Sequence, residues 1–268
     1  MKIVRFRTGA GDVVTGVVEN SLDEARVIEG DLFTGYEITK GVEKIETLLA
    51  PITPVNILAL GLNYGRHADE TGIKKPESPV MFIKATNTVI GHGAYIMLPE
   101  AGRDEVDYEA ELAIVIGKDA KNVSPQEVDE YIFGYTCAND VSARDWQMYR
   151  QKKQWARGKS FDTFCPLGPC LVTKDEIADA DNLGIRCLLN GEVMQDSNTS
   201  DMLFDTRAIV SDLSRSMTLL RGTVIMTGTP EGVGFTREPP RFLRDGDRVT
   251  VEIEGVGTLT NPVRSEQL

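Results

Sequence analysis

Histidine is almost missing from this sequence, which holds only His67 and His92, and its four cysteines (Cys137, Cys165, Cys170, Cys187) never form a C-x-x-C pair. Zinc needs clustered His and Cys ligands, so zinc chemistry is disfavoured. The sequence has no export signal and is long enough to stand without cross-links. The cysteines therefore read as buried free thiols in a reducing cytoplasm rather than as disulfides. No apolar run approaches the roughly 18 residues that cross a bilayer. The start, Met1 to Arg7, alternates charged and apolar residues where a signal peptide has an apolar core, and it reads as a strand. Positive charge is also short: 29 Lys and Arg stand against 41 Asp and Glu, a formal net charge of −12. Such a chain repels phosphate backbones, which makes nucleic acid a poor partner. No G-x-S-x-G and no Cys/His signature is present, which argues against a serine or cysteine hydrolase. Gly158-Lys159-Ser160 imitates the end of a phosphate-binding loop, but Lys153 stands where that loop needs its first glycine, so nucleotide binding is rejected.

What remains is an ordinary globular composition. With 268 residues, 41% hydrophobic and 26% charged, the chain can bury one large core with a small unit appended. Residues 1–53 read as a small N-terminal β domain, with strands at Ile3 to Arg7 and Val13 to Val18 around a turn-rich stretch, Thr8 to Asp12. Pro51 and Pro54 punctuate the boundary, and residues 54–268 form the second domain. Its strand candidates are Val55 to Leu60, Val80 to Lys84, Glu109 to Gly117, Ile132 to Ala138, Cys170 to Thr173, Ile185 to Asn190, Thr223 to Thr227 and Arg248 to Glu254. Helices are expected at Ser124 to Tyr131, Ala143 to Gln151 and Thr206 to Leu220, the first with Ser124 capping, Pro125 at the first turn and Glu127 reciprocating. Ala68 to Pro79 is polar with little to bury, either a plain surface loop or a lid. Strands outnumber helices and do not alternate with them, so the fold class is mainly β, with sheets packed or rolled on each other. No internal repeat is found.

The chemistry concentrates in Val106-Asp107-Tyr108-Glu109-Ala110-Glu111-Leu112. Residues two apart share a strand face, so Asp107, Glu109 and Glu111 lie on one face with Ala113 and Val115, opposite Tyr108, Ala110, Leu112, Ile114 and Ile116. Adjacent carboxylates repel unless a cation sits between them, and all-oxygen ligation suits Mg²⁺ or Mn²⁺, with Ca²⁺ as a non-native occupant. The same pattern also suits a solvated polar face. Asp140, between a strand and a helix, is a candidate third ligand and equally a candidate turn or cap. His67 and Glu70 are three residues apart, so one helical turn would place them side by side, with Glu70 orienting the imidazole as general base. Arg144 and Gln147 are similarly spaced, as substrate contacts or as solvated helix surface.

Five motifs in order resemble the fumarylacetoacetate hydrolase family: Gly61-Leu62-Asn63-Tyr64 with His67, Asp107 to Leu112, Asn139 to Asp145 with Gln147, Gly158 to Phe164, and Thr227 to Gly234. The resemblance implies a mixed β-sandwich roll, usually a homodimer, after a small β domain. It implies a divalent metal on Glu109, Glu111 and Asp140, and Lys159 as the lysine that holds a substrate carboxylate or a developing oxyanion. It further implies a small-molecule keto acid as substrate. The expected reaction is metal-dependent hydrolysis of a C–C bond in an acylpyruvate or 2,4-diketo acid. The alternatives are decarboxylation of a β-keto acid of the oxaloacetate type and isomerisation of an unsaturated diacid. All three share a metal-stabilised pyruvate enolate. Thr229, in the Gly-rich loop after a strand, is a candidate donor to a substrate carboxylate, and the alternative is that 227–234 is only a tight turn. The founding hydrolase has a further acidic ligand shortly before the His67 position, where this chain has Leu60 and Gly61. A non-catalytic, metal-stabilised binding protein is the reading from another class.

Overall fold

The computed structural model describes residues 1–19, 21–150 and 152–267. Among the described residues its architecture is two packed β-sheets of mixed strand direction, with a two-stranded ribbon (Val106–Asp107 with Ser142–Ala143) and short helices at their margins, a mixed β-sandwich roll. The larger sheet has twelve strands. Its main path runs Gly35–Lys44, Glu24–Asp31, Val13–Val18, Lys2–Arg7, Cys165–Thr173, Ile132–Asn139, Ala110–Ile116, Val224–Met226, Ile57–Gly61, Val80–Lys84. The N-terminal strands are thus continuous with the rest: Lys2 pairs with Val172 and Ile3 with Leu171. The smaller sheet runs Glu192–Asn198, Gly184–Leu189, Arg248–Ile253, Gly257–Ser265, Ile96–Leu98 and packs across the middle of the larger one.

Ala110–Ile116 sits in the centre, between Ile132–Asn139 and Val224–Met226, and its alternating side chains explain why it stays there. Leu112, Ile114 and Ile116 enter the core shared with the smaller sheet, while Ala113 and Val115 enter a second core with Ile3, Ala59, Leu171 and Met226. Both faces are apolar and fully buried, so a register slip would drive acidic residues into hydrocarbon. Truncating Ile114 to Ala would leave a cavity costing about 2–5 kcal/mol.

The strand expectations hold to within a few residues, with Cys165–Thr173 beginning earlier than its apolar tail suggests. Glu24–Asp31, Gly35–Lys44, Glu192–Asn198 and Gly257–Ser265 are strands that the pattern did not single out. The helices are shorter than expected. At 124–131 only a 3-10 turn, Val128–Glu130, forms. Ser124 and Glu127 still make their reciprocal contact (2.5 Å), but one apolar residue, Val128, has a core to enter before the next strand begins at Ile132. At 143–151, Ala143 is taken by pairing with Val106, and Trp146–Arg150 forms a wide π-turn; Gln151 lies outside the described residues. The third helix, Thr206–Ser216, is capped by Asp205, which accepts from Ala208 N (2.7 Å). It stops short of Leu220 because Leu219 bridges to Ala120 instead. The first third of the expected polar loop after His67 is helix: Gly65–Thr71 buries Ala68 and ends at Gly72 in the left-handed conformation (φ 67°). No described helix is long and apolar enough to cross a membrane.

Candidate active site and metal centre

The acidic segment is two strands rather than one: Val106–Asp107, then a step at Tyr108 and Glu109, then Ala110–Ile116. At the step, side chains replace the ladder. Glu109 N donates to Asn139 Oδ1 (3.0 Å) and Ala110 N to Gln195 Oε1 (2.9 Å), while Asp140 N donates to the Glu109 carbonyl (2.9 Å). The step turns Asp107 away from its expected neighbours. Its carboxylate accepts instead from Gly234 N (2.8 Å), Phe235 N (3.1 Å) and Arg144 Nε (2.9 Å). Glu109, Glu111 and Asp140 converge, each with an oxygen within 4.8 Å of the others.

Three cations answer these four buried acids. Lys159 Nζ lies 2.8 Å from Glu109 Oε2, 2.6 Å from Asp140 Oδ2 and 2.7 Å from Ser142 Oγ. Lys84 Nζ holds Asp140 Oδ1 at 2.5 Å, and Arg144 reaches Glu109 Oε1 at 2.7 Å. Burial alone would push the Glu109 carboxyl up, but Lys159 and Arg144 outweigh it and hold the group well below the usual range. Burial also opposes charge on Lys159, and Asp140 and Glu109 reverse that, raising its pKa so that it stays an ammonium. Glu111 fares differently: burial, then repulsion from Asp140 and Glu109, push its carboxyl well up. Its Oε2 accepts from Gly228 N (2.6 Å), and its Oε1 is buried with no partner.

That orphaned oxygen, beside two further carboxylates and one uncompensated negative charge, is the environment a hard divalent cation satisfies. A metal held by Glu109, Glu111 and Asp140 would give Glu111 Oε1 a partner and remove the repulsion that raises its pKa. The donor set therefore fits Mg²⁺ or Mn²⁺, and it lacks the nitrogen and sulfur ligands that zinc prefers.

A pocket of about 530 Å³, counted to its open mouth, lies over this cluster. Six of the expected site residues line it: His67, Glu109, Arg144, Gln147, Lys159 and Thr229. Glu111 and Asp140 lie fully buried beneath, and Glu70 stands behind His67 with Oε2 3.1 Å from Nδ1. Burial favours the protonated Glu70 carboxyl, but hydrogen bonds from His67, Thr236 and Gly232 prevail and lower its pKa. Arg144 NH1 donates to Gln147 Oε1 (2.9 Å), so the expected helix-face pair forms on the π-turn. Thr229 Oγ1 accepts from Gln195 Nε2 (2.9 Å), which leaves its own proton for a ligand. Phe82, Trp155 and Phe235 supply the aromatic walls. Gly61 is required here because a Cβ would collide with the Trp155 ring. Leu62 beside it adopts φ 57°, a left-handed strain that non-glycine residues carry mainly at functional sites.

Sequence reasoning did not find Lys84, Ser142, Asn63 or Gln195. Lys84 left a signal, a lysine closing the apolar run Val80-Met81-Phe82-Ile83. Asn63 sits inside a quoted motif and ties the pocket loops together, donating to the Thr227 carbonyl (2.7 Å) and accepting from Phe204 N (3.0 Å). Gln195 had none. His92, given no role, accepts from Thr260 N (3.2 Å), away from the pocket. All four cysteines are free and buried.

The family model described as "Fumarylacetoacetate (FAA) hydrolase C-terminal" matches residues 56–264, which include every residue of this site. The chain belongs to the fumarylacetoacetate hydrolase family. A second model, "Rv2993c-like, N-terminal", matches residues 1–51. Among relatives in the family, the mitochondrial oxaloacetate tautomerase of Xenopus laevis is 51% identical over 218 residues, spanning 81% of this chain and 68% of that protein. A human oxaloacetate tautomerase, also mitochondrial, is 48% identical over 218 residues, spanning 81% of this chain and 69% of that protein. Among solved structures, a 5-carboxymethyl-2-hydroxymuconate delta-isomerase from Mycobacterium smegmatis superposes with TM-score 0.87 at 41% identity, covering 99% of this chain and 100% of that one. A fumarylacetoacetate hydrolase from Exiguobacterium antarcticum superposes at 0.88 with 36% identity and the same coverage.

Proposed function

We propose that this chain is a tautomerase or isomerase of a small 2-keto dicarboxylate, oxaloacetate in the first instance, working with Mg²⁺ or Mn²⁺. One observation carries the reading: His67, its Nδ1 held by Glu70, lines the same pocket as the carboxylate cluster and Lys159. Keto–enol exchange needs one proton moved between carbon and oxygen by way of a base, and a site that tolerates the enolate oxygen on the way. It needs no activated water and no cleaved C–C bond. The names of the tautomerase and isomerase relatives support proton transfer over the C–C hydrolysis expected first from the sequence.

Glu70, ionised at neutral pH, accepts from Nδ1 and fixes the tautomer, so proton exchange falls to Nε2 of His67. In the keto-to-enol direction His67 would take the proton from the carbon next to the keto group and deliver it to the oxygen that becomes the enol hydroxyl, and in the other direction it would return it to carbon. Lys159, kept charged by its acidic neighbours, supplies positive potential to the oxygen that becomes negative. Arg144, Gln147 and Thr229 present donors to the substrate carboxylates, and the aromatic walls limit water. A divalent cation on Glu109, Glu111 and Asp140 would supply Lewis-acid stabilisation of the keto oxygen and its neighbouring carboxylate.

The test is a panel of oxaloacetate, an unsaturated 2-hydroxy diacid and an acylpyruvate, each with Mg²⁺, Mn²⁺ or EDTA. Metal-dependent loss of enol absorbance without pyruvate release supports the proposal. Pyruvate from oxaloacetate makes the chain a decarboxylase, and pyruvate from the acylpyruvate makes it a hydrolase.

A further inference from the structure

The His67–Glu70 pair does not hold itself in place. Glu70 Oε1 accepts from Gly232 N (3.0 Å) and from the Thr236 hydroxyl (2.9 Å), both on the loop across the pocket from its own helix. The same loop is held from below by Asp107, through Gly234 N and Phe235 N. Asp107 also holds Arg144, and the Phe235 ring stacks 4.4 Å from the Arg144 guanidinium. Residues 232–236 therefore touch both the proton-transfer pair and the carboxylate-binding arginine, on opposite sides of one short segment. Thr236 does not line the pocket. Its hydroxyl lies 2.9 Å from both Glu70 Oε1 and the Val233 carbonyl, and an ionised carboxylate is the stronger acceptor of its single proton.

We infer that Thr236 is a positioning residue: its hydroxyl, with the Gly232 N–H, locks the Glu70 carboxylate in the orientation that aims His67, and so sets the pair's register to Arg144. The inference rests on the proton-transfer reading above. Gly232 cannot be probed cleanly, because it adopts φ 93° and a Cβ there would strike the Met194 carbonyl. Thr236 can, because Val keeps its shape and Ser keeps its hydroxyl.

The experiment compares T236V, T236S, H67A, E70A and the E70A/T236V double variant in the metal-loaded full chain, measuring oxaloacetate tautomerisation and melting temperature. We expect T236V to lower kcat on the order of tenfold, since small misplacement of a catalytic group is costly. KM should stay within about twofold, T236S should recover most of kcat, and the melting temperature should move by no more than about 4 °C. In the E70A background T236V should cost nothing further, as expected for residues acting through one contact. Equal kcat in T236V and T236S, a loss confined to KM, or additive losses with E70A would each overturn the positioning role. Those outcomes leave the proton-transfer reading standing as long as H67A is inactive. Full turnover by H67A would overturn both.

Discussion

The floor and the roof of this pocket differ in kind. The floor is sheet: Asp107, Glu111 and Asp140 are 0% exposed and Lys84 1%; Asp107 is paired with Arg144 and Asp140 with Lys84, while Glu111 has an oxygen within 4.8 Å of Glu109 and Asp140. The roof is a seven-residue helix followed by an exposed loop, and it carries Glu70 with a side chain 26% exposed. Fixed charge needs a rigid, desolvated frame, because each ion there is strong and expensive to misplace. A group that passes protons needs contact with its substrate, so it sits on an element that water can reach. Stability should therefore depend mainly on the floor, and turnover on both.

The largest effect is expected from Glu109→Ala. It removes one of the two carboxylate partners of both Lys159 and Arg144, and breaking such a buried pair costs about 3–5 kcal/mol. It also removes a metal ligand, so turnover should fall by about a thousandfold or more and metal should no longer raise the melting temperature. Lys84→Met leaves Asp140 Oδ1 without its cation and should cost a similar 3–5 kcal/mol by denaturant unfolding. A neutral result would mean that Lys159 alone suffices for Asp140. His67→Ala reverses the pattern: turnover should drop roughly 10²–10⁴-fold while unfolding barely changes. A large loss of stability there would erase the distinction between floor and roof.

The fourth prediction uses pH. The folded Glu70 pKa lies below its ordinary value of 4.5, so its hydrogen bonds contribute stability above pH 4.5 and lose it as pH falls through the lowered folded value. The melting-temperature gap between the protein and its Glu70→Gln variant should be constant near neutrality and close in acid, and its size should be modest because the group is partly exposed. The smallest effect belongs to Glu77→Ala on the exposed loop. Its contact with Lys74 joins side chains 91% and 87% exposed, and removing it should leave the melting temperature unchanged.

The floor is also the part most legible in sequence. Alternation along 106–117 locates a central strand with two distinct faces, and three carboxylates two apart on it suit either a cation or a solvated polar face, a choice that only their burial decides. What alternation misses is the step at Tyr108, which removes Asp107 from the cluster and gives it to Arg144. That step depends on Asn139 and Gln195, distant residues whose side chains replace ladder bonds. Local pattern carries no trace of such substitutions. On the roof, the three-residue spacing of His67 and Glu70 is enough to pair them once a helix forms. The helix itself is too short for a periodic signal, and Ala68 to Thr71 reads as polar loop. Helices near the site were overestimated for a related reason: Ala143 has the propensity for a helix but is claimed by a cross-strand partner, Val106.

The most direct test follows deuterium at C3 of oxaloacetate by proton NMR, in D₂O with Mg²⁺, for the protein and its Glu109→Ala and His67→Ala variants. Proton transfer at this site predicts exchange well above the spontaneous rate in the protein and a return to that rate in both variants. Exchange that persists in His67→Ala, or pyruvate forming with no accelerated exchange, would contradict it.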